Sequence, residues 1–212
     1  MPKLAANLSM MFNEVDMMDR FAAAANAGFK GVEYLFPYDN DASEIKEALD
    51  ANGLEQVLFD FPAGDWAAGE RGITIHPDRV SEFQDGVGTA CEYAQALGCT
   101  RITALAGKVP HGENPIDLSD TLISNLQFAA DAAAKVGATV MVEAINTRDI
   151  PGFFVHRTNH ALQVIDMVDR ENVKLQYDIY HMQIMEGDVA IAMETHLDRI
   201  GHLQLADNPG RH

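Results

Sequence analysis

The sequence predicts an α/β fold of the (β/α)8 TIM-barrel type, of which seven β-α units are evident. Three observations support this prediction. Short apolar segments alternate with helical patterns along the whole chain, which is typical of parallel strands joined by right-handed crossovers. No Gly-x-Gly-x-x-Gly motif follows the first strand, as a dinucleotide-binding sheet would require. Polar residues recur at the C-terminal ends of several strands, where the active sites of barrels lie.

Each predicted strand is a short apolar run, and each early helix ends at a glycine, the usual residue at a helix C-terminus. The strands are expected at residues 4–10, 31–35, 56–61, 101–105, 139–143, 174–178 and 202–206. The helices are expected at residues 16–27, 42–52, 78–97, 119–136, 159–169 and 189–199. A complete barrel has eight strands in about 250 residues. We therefore expect residues 1–212 to form a single barrel domain that is incomplete at its C-terminus.

The composition excludes several classes of partner. The formal net charge is −17, which argues against nucleic acid and against an anionic membrane surface. No apolar run approaches the ~20 residues that span a bilayer, and the N-terminus lacks the pattern of a signal peptide, so we expect a cytoplasmic protein. The two cysteines, Cys91 and Cys99, fit no metal-binding spacing and are expected to be reduced packing residues.

Three consecutive predicted strands end on a possible metal ligand. Glu143 and Asp178 each close an apolar strand, and Gln204 follows the short apolar segment His202-Leu203 in the last one. Burying an unpaired charge is costly, so three such residues suggest oxygen ligands that converge on one hard cation. Each residue also has a simpler explanation: Glu143 could pair with Arg148, Asp178 could cap a helical turn, and Gln204 could satisfy backbone groups.

The long loop after the third strand, residues 62–77, contains Trp66, Glu70 and Arg71. Its length and its glycines are typical of a lid or a binding loop. A packed surface loop is the alternative.

Three further residues could contact a substrate. His181 follows Asp178 by three positions and could donate a hydrogen bond to a substrate oxygen. Lys108 follows the fourth strand, at the end of the barrel where chemistry takes place. Arg211 could bind a substrate carboxylate through its planar guanidinium, or it could simply be solvated. No Gly-x-Ser-x-Gly elbow and no phosphate-binding loop is present.

Taken together, these motifs resemble the hydroxypyruvate isomerase family of the xylose-isomerase-like barrel superfamily. The resemblance extends along the whole chain, and its most specific segments are residues 31–38, 62–72, 177–183 and 201–209.

This resemblance implies a divalent metal, Mg²⁺ or Mn²⁺, held by Glu143, Asp178 and Gln204. Sugar epimerases of the superfamily usually carry His at the position of Gln204, which favours the hydroxypyruvate branch. The resemblance also implies a fourth ligand, a Glu on an eighth strand that has no counterpart in residues 1–212. Glu143 would be one of the two glutamates that transfer the proton.

The implied reaction interconverts hydroxypyruvate and 2-hydroxy-3-oxopropanoate through a metal-stabilised enediolate. The substrate is then a small anionic hydroxy-oxo acid. Its carboxylate would bind Arg71, Lys108 or Arg211, and His181 would polarise one of its oxygens. The enzyme could form a homo-oligomer.

Three alternatives stay open, and a fourth, the endonuclease, is disfavoured. A close relative of the family isomerises 2-oxo-tetronate, and a ketose 3-epimerase would share the fold but need a longer, neutral pocket. The endonuclease branch would need more histidine ligands and a basic face, which the charge of −17 disfavours. A non-catalytic, truncated barrel that acts as a binding protein is the alternative of another class.

Overall fold

The protein is described here by a computed structural model that covers residues 2–211. Seven parallel strands form one sheet whose spatial order is their order in the chain. The strands are β1 (Ala5–Asn7), β2 (Gly31–Glu33), β3 (Glu55–Asp60), β4 (Arg101–Ala104), β5 (Thr139–Glu143), β6 (Val173–Asp178) and β7 (Ile200–Gln204). This sequential parallel order confirms the predicted α/β barrel architecture with seven units.

Helices connect the strands, as the alternating pattern predicts. They are α1 (Arg20–Asn26), α2 (Ala42–Asn52), α3 (Val80–Leu97), α4 (Pro115–Lys135), α5 (Thr158–Val168), α6 (Ile179–Met185) and α7 (Val189–His196). Short 3-10 helices at Met17–Asp19 and Pro77–Arg79 precede α1 and α3. Within residues 2–211, no helix is long and apolar enough to cross a membrane.

The sheet curls until its last strand faces its second. Nε2 of His202, on β7, lies 2.6 Å from Oε2 of Glu33, on β2. The amide of Gln204, also on β7, donates to Oε1 of Glu33 over 2.7 Å. Since β2 and β7 lie five places apart in the strand order, these contacts require a barrel-like curvature. The curvature brings the C-terminal ends of the strands toward a common centre.

The hydrophobic core lies between the sheet and the surrounding helices. The strands contribute fully buried residues such as Val32, Phe59, Ile102 and Val140. Cys99 is also buried, Cys91 is partly exposed, and both are free thiols, as expected.

Most predicted elements are confirmed, and the differences have local causes. The predicted α4 began at residue 119, but it begins at Pro115 because Asn114 caps it by accepting the N–H of Ile116. The predicted strand at residues 202–206 lies two residues too late: β7 begins at Ile200 and ends at Gln204, and Leu205 beyond it is 77% exposed. Helix α6 was not predicted, because its only signal is the capping residue Asp178, which is too short a pattern to distinguish from a turn.

The loops that follow β3 and β4 contact each other through two glycines. Gly72 has a φ of +115° and Gly107 a φ of +108°. A Cβ at Gly72 would overlap the carbonyl oxygen of Leu105, and one at Gly107 would overlap the carbonyl oxygen of Gly72. Only glycine allows this conformation and this backbone approach together. The contact holds the base of the long loop 62–77 against the rest of the barrel.

We predict that Gly72→Ala lowers the free energy of unfolding by about 2–4 kcal/mol, because the new Cβ is strained and also overlaps backbone. Gly88→Ala is the matched control, since Gly88 lies in α3 with open space around a Cβ. Its change should be neutral or stabilise by up to about 1 kcal/mol. Urea denaturation of both variants measures the difference, and equal stabilities would contradict the proposed contact.

Candidate functional site

Three buried ionisable side chains meet at the C-terminal ends of β5 and β6. Glu143 ends β5, Asp178 ends β6, and His181 lies in the first turn of α6. Their ligand atoms all lie within 4.8 Å of one another, and this is the one such acidic and histidine group found among residues 2–211. The site is therefore where barrel active sites occur.

Asp178 caps α6, which is one of the two roles that its sequence position suggests, and its second oxygen makes none of these capping bonds. Its Oδ1 caps α6, accepting the N–H groups of Tyr180 (2.7 Å) and His181 (3.2 Å). Its Oδ2 lies 3.5 Å from Nε2 of His181, inside the cluster of Glu143, Asp178 and His181, which we call the carboxylate pocket. Burial raises the pKa of Asp178, although the His181 N–H and the charge of Arg211 act in the opposite direction. One oxygen thus positions α6 while the other stays available.

Glu143 is the more strongly perturbed of the two acids. Its side chain is 8% exposed, and its Oε1 lies 3.8 Å from Nε2 of His181. Burial raises its pKa well above the ordinary value, and repulsion from Asp178 and Asp60 adds to the effect. A carboxylate with a raised pKa is suited to accept a proton from a weak carbon acid.

His181 is neutral in this environment. Burial and the nearby charge of Arg211 lower its pKa to about 3. Its Nδ1 lies 2.6 Å from the side-chain nitrogen of Asn146 and 3.4 Å from the backbone nitrogen of that residue.

Arg211 brings a positive charge to the same pocket. One guanidinium nitrogen lies 3.9 Å from Oδ2 of Asp178, and the side chain is 35% exposed. The guanidinium stacks over the ring of Tyr180 at 4.5 Å. It is thus held at the pocket while it can still reach a ligand.

Gln204 pairs with Asp178 in the register of β6 and β7, but its amide already has partners. The hydroxyl of Thr103 donates to Gln176 (2.7 Å), the Gln176 amide donates to Oε1 of Gln204 (2.9 Å), and Gln204 donates to Glu33 (2.7 Å). An amide oxygen has two lone pairs, so Oε1 of Gln204 can still accept a further ligand. Its role as a metal ligand stays a prediction.

The other predicted substrate contacts form a separate group on the loops after β3 and β4. Arg71 stacks over Trp66 at 4.1 Å and donates to the carbonyls of Trp66 and Glu70. The carboxylate of Glu70 accepts the N–H of Asp65 and binds Arg79. Lys108 donates to the carbonyl of Gly69. These contacts make the loop well packed, beside a cavity of about 260 Å³ lined by residues 68–72, 76 and 108–110.

Sequence reasoning missed several polar residues of the barrel interior. Glu33 ends β2 and Asp60 ends β3, and both are buried. The signal that identified Glu143 and Asp178, a carboxylate at the end of an apolar strand, also marks these two residues. Asn146 gave no such signal, because it lies in the loop after β5 and its importance depends on its contact with His181.

The donor set fits a hard divalent cation. Two buried carboxylates face each other, and each has a raised pKa chiefly because burial penalises its charged form. Oxygen ligands of this kind suit Mg²⁺ and Mn²⁺. The group formed by Glu143, Asp178 and His181 could therefore bind a divalent metal.

The chain is similar to two curated isomerases. It is 51% identical over 211 residues to hydroxypyruvate isomerase of Escherichia coli K12, and the match covers 100% of this chain and 82% of that protein. It is 49% identical over 212 residues to 2-oxo-tetronate isomerase of Cupriavidus necator, again with 100% and 82% coverage.

A solved structure also matches closely. The crystal structure described as AP endonuclease, family 2 from Brucella melitensis is 46% identical, with a TM-score of 0.96 over 99% of this chain and 81% of that one. The family model of the xylose isomerase-like TIM barrel matches residues 21–212. The chain is therefore an isomerase that belongs to the xylose isomerase-like TIM barrel family.

Proposed function

We propose that the chain interconverts hydroxypyruvate and 2-hydroxy-3-oxopropanoate. The observation that carries the proposal is the buried pair Glu143 and Asp178, with the donors His181 and Arg211 beside it. Proton transfer next to a carboxylate requires a base with a raised pKa, a neutral hydrogen-bond donor and a cation. Curated relatives at 51% and 49% identity carry the names of isomerases for such acids.

Glu143, Asp178 and Gln204 would hold the metal, which we propose to be Mg²⁺ or Mn²⁺. When bound, the cation would stabilise the negative charge that develops on two adjacent substrate oxygens. Asp178 can offer Oδ2 without releasing α6, because Oδ1 alone makes the capping bonds. Gln204 can offer its oxygen without breaking its bond to Gln176.

The proton then moves between adjacent carbons. Glu143 removes a proton from C3 of hydroxypyruvate, the carbon that bears the hydroxyl. A proton is returned to C2, and the hydroxyl proton passes from the C3 oxygen to the C2 oxygen. C3 thereby becomes the aldehyde, and C2 becomes the carbinol, so the atoms balance. His181 donates a hydrogen bond to one of these oxygens as its charge develops.

Arg211 is the proposed partner of the substrate carboxylate. Three cations were candidates in the sequence, but Arg71 and Lys108 already bind loop carbonyls, and Arg71 also stacks on Trp66. Arg211 lies against the carboxylate pocket and is still partly exposed. A bidentate guanidinium–carboxylate contact would orient the acid relative to Glu143.

We also propose that an eighth β-α unit completes the active barrel and supplies the fourth ligand, a glutamate. Within residues 2–211, β1 and β7 are the two ends of the sheet. The apolar side chains Leu4, Leu203 and Leu205, at or beside these strands, are 69%, 42% and 77% exposed. Such an apolar edge is typical of a surface that another element covers. A cytoplasmic location and a homo-oligomeric state stay predictions.

A 2-oxo-tetronate isomerase is the second candidate. It is favoured by the 49% identical relative whose match covers 100% of this chain. It would use the same base and the same cation. An endonuclease finds less support, although the 46% identical structure carries that description, because the net charge of −17 repels a polyanion.

We predict that Glu143→Gln lowers kcat on hydroxypyruvate by at least about 10³-fold, because the variant cannot accept a proton. In the chelated protein the melting temperature should not fall, since glutamine is isosteric and removes a buried ionisable group. Glu171→Gln, at an exposed position, is the matched control and should keep full activity. Turnover of Glu143→Gln above one-tenth of the wild-type rate would contradict the proposed role.

The same pair of variants tests the metal by thermal denaturation. A saturating concentration of Mg²⁺, about 100 times its Kd, stabilises a binding protein by about 2.7 kcal/mol. For a chain of this size we expect the melting temperature to rise by roughly 5–10 °C over the chelated protein. Glu143→Gln should lose most of this rise, and Glu171→Gln should keep it. An unchanged melting temperature after chelation, with no metal by elemental analysis, would rule out the site.

We predict that Arg211→Ala raises KM for hydroxypyruvate by roughly 10–100-fold, the value of a charge-assisted hydrogen bond. Lys108→Ala, which removes the competing cation, should leave KM within about threefold. If Lys108→Ala has the larger effect, the assignment of Arg211 as the partner of the substrate carboxylate is wrong.

Steady-state kinetics on hydroxypyruvate, 2-oxo-tetronate and a neutral ketose also separates the candidate substrates. Preference for the ketose would favour an epimerase.

The eighth unit is tested by the intact mass of the natural polypeptide. We expect a mass well above the 23.2 kDa of residues 1–212. A natural, active protein of 23.2 kDa would contradict the need for a fourth ligand on an eighth strand.

A further inference from the structure

The loop after β5 places Asn146 against the ring of His181. Asn146 is fully buried, and its side-chain nitrogen lies 2.6 Å from Nδ1 of His181. The backbone N–H of Asn146 also points at Nδ1, over 3.4 Å. The same ring nitrogen therefore faces two groups of one residue.

Two contacts with Asp149 decide which way the Asn146 amide points. Its Oδ1 accepts the backbone N–H of Asp149 over 2.8 Å, and its Nδ2 donates to the Asp149 carboxylate over 3.1 Å. If the amide were flipped, its nitrogen would face the backbone N–H of Asp149, and its oxygen would face the Asp149 carboxylate. Asp149 is held in turn by the hydroxyl of Tyr180, which donates to it over 2.6 Å. The amide nitrogen of Asn146 thus faces His181.

This orientation determines where the imidazole proton lies. Both groups that Asn146 presents to Nδ1 are donors, so Nδ1 must be the acceptor. A neutral imidazole keeps one N–H, which must then be on Nε2. Nε2 is the atom that faces Glu143 (3.8 Å) and Asp178 (3.5 Å).

Among residues 2–211, a contact of Arg211 favours the other tautomer. Its guanidinium lies 3.4 Å from Nε2, and it would donate to that atom if the atom carried no proton. This contact is long for a charged donor, whereas the Asn146 contact is short. The same guanidinium nitrogen also forms an ion pair with the Asp178 carboxylate, at 3.9 Å from Oδ2.

We propose that Asn146 is a positioning residue that holds His181 as the Nε2–H tautomer, so that the ring donates to a substrate oxygen and is not a nitrogen ligand of the metal. A nitrogen can ligate a metal only through a free lone pair, and in this tautomer the lone pair faces Asn146. The catalytic part rests on the proposed function, whereas the tautomer itself does not.

The tautomer can be measured directly by long-range ¹H–¹⁵N correlation spectra of the histidine-labelled protein, without substrate. The chain has 8 histidines, and a His181→Gln variant identifies the signal by its loss. We expect protonated Nε2 and unprotonated Nδ1 in the wild type, and the same pattern after addition of Mg²⁺. Nδ1–H in the wild type, or a direct Mg²⁺ effect on Nε2, would overturn the proposal.

Two substitutions then test Asn146 itself. In Asn146→Asp, a carboxylate replaces the donor, so we expect the proton to move to Nδ1. In Asn146→Ala, the side-chain donor is lost, and we expect a mixture of tautomers. Asn125 is the matched control, because it is also buried but donates to the carbonyl of Thr74. Asn125→Ala and Asn125→Asp should leave the His181 tautomer unchanged.

The kinetic readout separates positioning from a structural role. We expect Asn146→Ala to lower kcat by about 10–100-fold and to change KM by less than about threefold, because the His181 donor acts most strongly as charge develops. If Asn146→Asp does not fold, Asn146→Ala decides the question. An unchanged tautomer in every folded Asn146 variant would refute the role of Asn146. The expected tautomers in a wild-type protein inactive on both acids would refute the proposed function and leave the tautomer assignment intact.

Discussion

The burial of Glu143 and Asp178 beside each other is the constraint on which the rest of the site depends. Burial raises the cost of ionising both carboxylates, and the charge of Asp178 raises it further for Glu143. The surrounding residues respond to this cost. One oxygen of Asp178 is stabilised by the N-terminal turn of α6, and Arg211 brings its charge to the other oxygen. A divalent cation would balance what these two contacts leave uncompensated.

Hydrogen-bond direction, more than proximity, distinguishes the roles of the polar groups around this pair. The hydrogen bonds from Thr103 through Gln176 and Gln204 to Glu33 all run in one direction. The amide oxygen of Gln204 therefore keeps one lone pair, and its nitrogen is committed to Glu33. A second series of hydrogen bonds starts at Tyr180, which donates to Asp149, and the contacts of Asp149 orient Asn146 against His181. Fully connected networks of this kind hold each member in one orientation, which preorganises the pocket before a substrate binds.

Much of the candidate site could be predicted from the sequence because its central residues stand at strand ends. Glu143 and Asp178 were found in this way, and His181 followed from its spacing to Asp178. The same reasoning applied to every strand would also have found Glu33 and Asp60. The loop group was harder to interpret. Arg71 and Lys108 are cations at the correct end of the barrel, but their charges are used to bind loop carbonyls, and no local pattern distinguishes that use from substrate binding.

The sequence by itself determined the alternation of strands and helices, the end of the barrel that carries the polar residues, and the carboxylates at that end. These properties depend on periodicity and on the cost of burying charge, which act within short segments. Only the tertiary structure decided which oxygen of Asp178 faces the carboxylate pocket, which cations bind loop carbonyls, and which nitrogen of His181 carries the proton. Each of these depends on distances between residues far apart in the chain, such as the 2.6 Å between Asn146 and His181, and packing alone sets such distances.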